Sequence, residues 1–210
     1  MNTLPENVKF EIMLKANYSD IINLCQTFPS FSSICDQDYF WGCKAEKDFN
    51  VLPSDLIFAY GQNNKSRYEW IMNVTPDDGL EEAGKCGAVS LVTYFLSRGA
   101  KSFNETMANA ARYGYLVIVK MMLDQGATMI NWAMEDAAQG GHLDIVKFLI
   151  GKGANAFDDS MVAAARGGHL DIVKLMLELG STVYNEGIIA SVEGRHYKIS
   201  AFLSIYADTH

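Results

Sequence analysis

The sequence is short of basic residues and of long apolar runs. Among its 210 residues are 17 lysines and arginines against 25 aspartates and glutamates, a net charge of −8 at pH 7. Proteins that bind the phosphates of nucleic acids or of anionic membranes need clustered cationic side chains, so this balance argues against both partners. No stretch of about 18 apolar residues occurs, and we therefore expect no membrane-spanning helix.

Cysteine is sparse as well. Cys25, Cys35, Cys43 and Cys86 lack the C-x-x-C spacing of a structural zinc site, which predicts an intracellular, cytoplasmic protein with reduced thiols and no metal. The sequence also contains no glycine-rich phosphate loop, no G-x-S-x-G and no H-E-x-x-H. We therefore expect no cofactor and no catalytic residue, and the chain is not predicted to be an enzyme.

The apolar fraction of 49% suffices for a buried core, and a repeat shows how the second half of the chain is organised. The run Gly-His-Leu-Asp-Ile-Val-Lys at 141–147 returns 27 residues later at 168–174. The same step leads back to related runs at 114–120 and 87–93, and forward to a degraded copy at 195–199. This self-similarity predicts five repeats, at 77–103, 104–130, 131–157, 158–184 and 185–210.

Each repeat is predicted to form two short antiparallel helices. In the repeat 158–184, the side chains of Asp158, Asp159 and Ser160 offer N-cap oxygens to the first helix, and Gly167-Gly168 ends it. Apolar residues within 170–177 recur with a helical period, which predicts a second helix that ends at Gly180. Stacked helix pairs of this kind build a curved array with one concave face.

The run 141–154 resembles the second helix of the ankyrin repeat, and Met161 with the alanines after it matches the family's buried positions in the first helix. The resemblance implies an all-α solenoid that binds another protein. A typical ankyrin repeat has about 33 residues. The residues missing here are those of its β-hairpin finger, so we expect short loops without long fingers. The short period is most similar to ankyrin proteins of large and giant DNA viruses.

Residues 1–50 do not follow the repeat, and they predict a bundle of three short helices. The opening Leu4-Pro5 and the closing Phe40-Trp41 resemble the F-box, a family that binds the adaptor protein Skp1 and thereby joins a ubiquitin ligase. The resemblance implies a Skp1 contact made by Leu4, Pro5, Val8, Ile12, Leu24, Ile34 and Trp41. Some of these residues are expected to hold the bundle together as well. Residues 51–76 are predicted to be a helical connector and the N-terminal cap of the repeats.

Three histidines recur with the repeat, at His142, His169 and His196. Equivalent positions in packed helices lie roughly 8–10 Å apart, too far for one zinc ion to bind them all. We therefore predict that each histidine bonds to the neighbouring inter-helix loop.

The target-binding surface is expected on the concave face, where residues differ most from repeat to repeat. Trp132 is the leading candidate because a large exposed aromatic side chain is a common anchor of protein interfaces. Acidic neighbours favour a target with a basic patch. Phe103 and Phe157 either extend the surface or pack under the shortened turns. The predicted target-binding residues are Trp132, Glu105, Glu135, Asp159, Arg112, Arg166, Phe103 and Phe157.

Two functions follow from these features. In the first, the protein recruits a target to an SCF-type (Skp1–cullin–F-box) ubiquitin ligase, with the F-box-like bundle on Skp1 and the repeats on the target. In the alternative, it is a stand-alone ankyrin module that sequesters a host or viral partner, and the front helices are only a structural cap. Apart from these partners we expect a monomer.

Overall fold

The computed structural model describes residues 4–56, 59 and 61–209, and every regular element in that part of the chain is a helix. The prediction of an all-α fold is confirmed. The chain divides into two compact units. The first contains Met1–Gly79 and Ala88–Gly99, and the second contains Leu80–Gly87 and Ala100–His210. No helix of the described residues is long and apolar enough to cross a membrane.

The first unit contains a helical bundle around a core of aromatic side chains. Trp41 is buried and donates a hydrogen bond from its indole Nε1 to the carbonyl oxygen of Cys35, at 2.8 Å. The buried ring of Tyr68 packs against Trp41, and its hydroxyl donates to Asp48 at 2.6 Å. The helices of this unit are α1 Glu6–Lys15, α2 Tyr18–Thr27, α3 Pro29–Cys35, α4 Asp38–Phe49, α5 Pro53–Leu56, α6 Asn64–Asn73, the start of α7 Pro76–Cys86, most of which lies in the second unit, and α8 Val89–Ser97.

Two cysteines of this bundle are joined. The turn between α2 and α3 brings Cys25 and Cys35 into disulfide contact, with their Cα atoms 6.3 Å apart. The expectation of four reduced cysteines is therefore wrong for this pair, whereas Cys43 and Cys86 are thiols. Spacing alone missed the bond because the two residues are distant in sequence and meet only through the turn.

The second unit is a stack of helix pairs that keeps the 27-residue step. Its first helices begin at positions 103, 130, 157 and 184, and its second helices at 116, 143, 170 and 197. The first helices pack on one another in chain order, and each also packs on its own second helix. The pairs are α9 Phe103–Arg112 with α10 Leu116–Asp124, α11 Ile130–Gly140 with α12 Leu143–Gly151, α13 Phe157–Gly167 with α14 Leu170–Glu178, and α15 Tyr184–Glu193 with α16 Tyr197–Thr209.

Small buried residues set the spacing of this stack. Ala111, Ala138 and Ala165 occupy equivalent positions on successive first helices, and all three are 0% exposed. The methionines that precede them by four residues, such as Met134 and Met161, are equally buried and fill the space beside them. The solenoid of ankyrin-like helix pairs is thus the observed fold, and its described loops contain no β-hairpin finger.

Side chains take over the role of the missing fingers. The second residue of α9, α11 and α13 accepts hydrogen bonds from the loop that leads to the next repeat. Asn104 Oδ1 accepts from the backbone N–H groups of Thr128 and Met129, at 2.8 and 3.0 Å. Asp158 Oδ1 accepts from the Ser181 hydroxyl at 2.7 Å. Asp158 is therefore not an N-cap as predicted: α13 begins at Phe157, and its N-cap residue is Ala156.

His142 and His169 make the contacts predicted for them. Nε2 of His142 bonds to the carbonyl oxygen of Arg112 at 3.0 Å, and Nε2 of His169 bonds to that of Gln139 at 3.1 Å. Each imidazole thereby joins its own inter-helix turn to that of the preceding repeat. Burial lowers the pKa of His169, while the hydrogen bond to the Gln139 carbonyl opposes the shift.

We predict that Met161→Asp lowers the free energy of unfolding by on the order of 3–5 kcal/mol, because a carboxylate would be buried without a partner. Chemical denaturation measures the change. The control is Ile205→Asp, at a side chain that is 68% exposed, for which we expect a change within about 0.5 kcal/mol. Equal stability of the Met161→Asp variant and the unmodified protein would contradict the packing described above.

Candidate protein-binding surfaces

The first helices of the second unit present one exposed face, opposite their buried alanines and methionines. This first-helix face carries Glu105 on α9, Trp132 and Glu135 on α11, and Asp159 on α13, all of them exposed. Glu105, Trp132 and Asp159 are each the third residue of their helix, so the repeat places them in one column. The chemistry of this column changes between neighbouring repeats, while the buried column of Met107, Met134 and Met161 stays the same.

Trp132 is the largest apolar side chain on this face, and it is 41% exposed. Met129, the N-cap residue of α11, is exposed as well and stands three residues before Trp132. Sequence reasoning missed Met129. The signal that could have found it is that this loop position holds a long apolar residue where neighbouring repeats hold Ser102 and Ala156. The two side chains together offer apolar surface of the kind that anchors protein interfaces.

Negative charge surrounds Glu135. Burial, followed by the charges of Asp159 and Asp136, raises the pKa of the Glu135 carboxyl, while Arg112 and Arg166 oppose the shift. A cationic group brought to this place would relieve the repulsion among the carboxylates. The electrostatics of the first-helix face therefore suit a basic partner.

The two arginines that were predicted to bind the target form ion pairs within the stack of repeats. Arg112 donates from Nε and Nη2 to the carboxylate of Asp136, which is buried, and this ion pair joins α9 to α11. Arg166 lies 3.4 Å from a carboxylate oxygen of Glu193, on the solvent-exposed side of α13 and α15. The Arg112 contact is charge-assisted and shielded, so it holds the guanidinium in place. Asp136 was predicted only as one of the acidic residues that favour a basic partner, since its contact with Arg112 depends on the packing of two repeats.

The two phenylalanines occupy intermediate positions. Phe103 is the first residue of α9 and Phe157 is the first residue of α13, and both are half-buried. They lie at helix starts, not in the preceding loops.

The residues predicted to contact Skp1 separate into a surface set and a core set. Leu4, Pro5, Val8 and Ile12 are exposed, and the last two lie on α1 one turn apart. We call these four residues the α1 apolar row. The remaining three are Leu24, which is half-buried, and Ile34 and Trp41, which are buried in the bundle.

Neither surface resembles a metal site. Among the described residues, no three His, Cys, Asp or Glu side chains come together as ligands for one ion. The histidines of successive repeats point to backbone carbonyls instead.

Comparison with known proteins supports the nature of the repeat. A family model described as the ankyrin repeat matches residues 132–159, which run from α11 through α12 into α13. No curated protein sequence matches the chain. Ankyrin repeats are typically non-catalytic modules for protein–protein interaction, and the matched segment contains Trp132, Glu135 and Asp159.

We predict that Trp132→Ala changes the free energy of unfolding by about 1 kcal/mol or less, because this side chain lies outside the packed columns. Met134→Ala, two residues further on the same helix, should cost about 2–5 kcal/mol because it empties a fully buried position. Thermal or chemical denaturation of the two variants checks the difference. A larger loss for Trp132→Ala than for Met134→Ala would mean that Trp132 is part of the core and not an available anchor.

Proposed function

We propose that the protein is a non-catalytic adaptor that recruits a target protein to an SCF-type ubiquitin ligase. Its helical bundle binds a Skp1-like adaptor, and the first-helix face of its repeats binds the target. The observation that carries the proposal is the α1 apolar row, which leaves Leu4, Val8 and Ile12 exposed on a bundle whose core is already filled.

The α1 apolar row has the properties of a partner contact. Met13, on the same helix, is completely buried, and the ring of Phe10 packs against the buried Phe40, so residues outside the row hold α1 on the bundle. Neighbouring exposed apolar side chains of this kind commonly mark interaction sites. These residues are also the ones in which the sequence resembles the F-box, so an adaptor of the Skp1 kind is the partner we assign.

The proposed target-binding surface combines an apolar anchor with acidic side chains around it. Trp132 and Met129 supply apolar surface that binding would remove from water. Glu105, Glu135 and Asp159 favour a target segment that carries lysine or arginine. Charges at the edge of such a surface accelerate association and select partners more than they add affinity.

The proposed mechanism assigns no chemical step to this chain. The ligase transfers ubiquitin through its other subunits, and the adaptor holds target lysines close to the charged ubiquitin carrier. Tethering of this kind converts an encounter between separate molecules into one within a single complex, which raises the effective concentration of the reacting groups.

The second candidate function is a stand-alone ankyrin module that sequesters its partner. One observation favours it: the family match lies within the repeats, at residues 132–159, and the repeats alone carry the Trp132 surface. In this case the front helices serve as a cap, and the α1 apolar row does not bind Skp1.

Co-expression with Skp1 followed by affinity purification distinguishes the two functions. We expect the unmodified chain to retain Skp1, and the double variant Val8→Asp with Ile12→Asp to lose it, because charges would replace the centre of the apolar row. Leu52→Asp, at an exposed leucine of the same unit outside α1, is the matched control and should retain Skp1.

Circular dichroism of each variant establishes that the helices persist. Failure of the unmodified chain to retain Skp1 would reject the adaptor function and favour the stand-alone module. Retention of Skp1 by the double variant would show that the contact lies elsewhere than on α1.

A further inference from the structure

A groove lies between the first half of α1 and the start of α4, within the first unit. Its volume is about 460 Å³, and it is open to solvent. None of its lining residues is cationic, and none belongs to the α1 apolar row. The six residues that line it are Glu6, Asn7, Phe10, Glu11, Gln37 and Tyr39.

The helical period places the α1 residues of this groove on one side of the helix. At about 100° per residue, Phe10 and Asn7 lie between Glu6 and Glu11, so that a carboxylate stands at either edge of this side. Residue Val8 lies outside this sector by the same count, as does Ile12. The groove and the α1 apolar row are therefore two different surfaces of α1.

Two aromatic rings form the apolar part of the groove. The ring centroids of Phe10 and Tyr39 are 6.1 Å apart, and the ring planes differ by 22°. Phe10 also meets the buried ring of Phe40 edge to face, which holds it in place. A hydrogen bond with the Cys43 side chain raises the pKa of Tyr39 and ties its ring to the next turn of α4. The faces of such rings attract cations.

The polar side chains of the groove have no partner inside the protein. Four of them take part in no hydrogen bond or ion pair within the described part of the chain: Glu6, Asn7, Glu11 and Gln37. The neighbouring cation on α1, Lys9, lies over the ring of Phe31 instead, with its Nζ atom 5.9 Å from the ring centroid. Two carboxylates and two amide oxygens are thus free to accept hydrogen bonds from a ligand.

We infer that this groove binds an arginine side chain of a partner protein. A guanidinium group is planar, so it can lie on a ring face while it donates hydrogen bonds in its own plane to carboxylate and amide oxygens. The ammonium group of lysine is a compact and strongly hydrated charge, which stacks on rings less well. This site is additional to the proposed function, because it uses neither the α1 apolar row nor the first-helix face.

The arginine belongs to a peptide chain rather than to a free amino acid. Free arginine would bring its own carboxylate close to Glu6 and Glu11, and the like charges would repel. Within a peptide this carboxylate is replaced by an uncharged amide, so only the guanidinium charge meets the groove.

NMR titration of the full chain with N-acetyl-arginine amide tests the inference, because the shifts of backbone amides locate the bound probe. We expect saturable shifts in α1 and at the start of α4. The lysine analogue and free arginine should bind more weakly. The citrulline analogue, which has the shape of arginine without its charge, should cause no saturable shifts there.

Variants of the lining residues test the contacts. Glu11→Gln, in the middle of α1, should weaken binding of the arginine probe about threefold, and Glu6→Gln combined with it about tenfold, because each removes one exposed ion pair. Tyr39→Ala, at a side chain that is 73% exposed, should weaken binding about threefold through the lost ring face. The matched controls are Asp124→Asn and Tyr113→Ala, at exposed residues of the second unit, which should bind the probe as the unmodified chain does.

Three results would overturn the inference. Shifts confined to the first-helix face would mean that the probe follows acidic charge in general. Equal binding of the citrulline analogue would exclude recognition of the guanidinium charge. Full affinity of the double glutamate variant, with its helices confirmed by circular dichroism, would exclude this groove as the site.

Discussion

The close approach of successive first helices is the constraint on which the second unit depends. Ala111, Ala138 and Ala165 stand at equivalent positions of α9, α11 and α13, each of which packs on the next first helix, and these alanines are inaccessible to solvent. A larger side chain would push the helices apart and would break the contacts made at both of their ends. The methionines beside the alanines then fill the gaps, because their flexible side chains adapt to irregular space.

Directional contacts fix the register of the stack. At one end of each first helix, an asparagine or aspartate accepts hydrogen bonds from the next loop, as Asn104 and Asp158 do. At the other end, a histidine bonds to the preceding turn and lies against its glycine. These contacts replace the hairpin fingers of longer repeats, so a 27-residue unit is sufficient. They also leave one side of the first helices free of packing, and Trp132 and its acidic neighbours lie on that side.

Much of the fold could be predicted from the sequence because the 27-residue period is visible in the residues themselves. The helix pairs, the buried column of Met161 and the role of the histidines all followed from the 27-residue step. Three contacts could not be predicted from this step. They are the disulfide between Cys25 and Cys35, the hydrogen bond that Asp158 accepts from the next loop, and the ion pair of Asp136 with Arg112. Each joins residues that meet only after the chain has turned or the repeats have stacked. The same reason explains Met129, whose exposure depends on a loop that no local pattern describes.

Side chains of one repeat hold the loop of the next repeat in place through hydrogen bonds. Amide hydrogen exchange at single-residue resolution tests this role most directly. Asn131 Oδ1 accepts from the backbone N–H groups of Asn155 and Ala156, at 2.8 and 3.4 Å. The account predicts that Asn131→Ala accelerates exchange at these two amides, while the Thr128 amide, which bonds to Asn104, keeps its rate. Equal exchange at Asn155 and Ala156 with and without the Asn131 side chain would contradict the account.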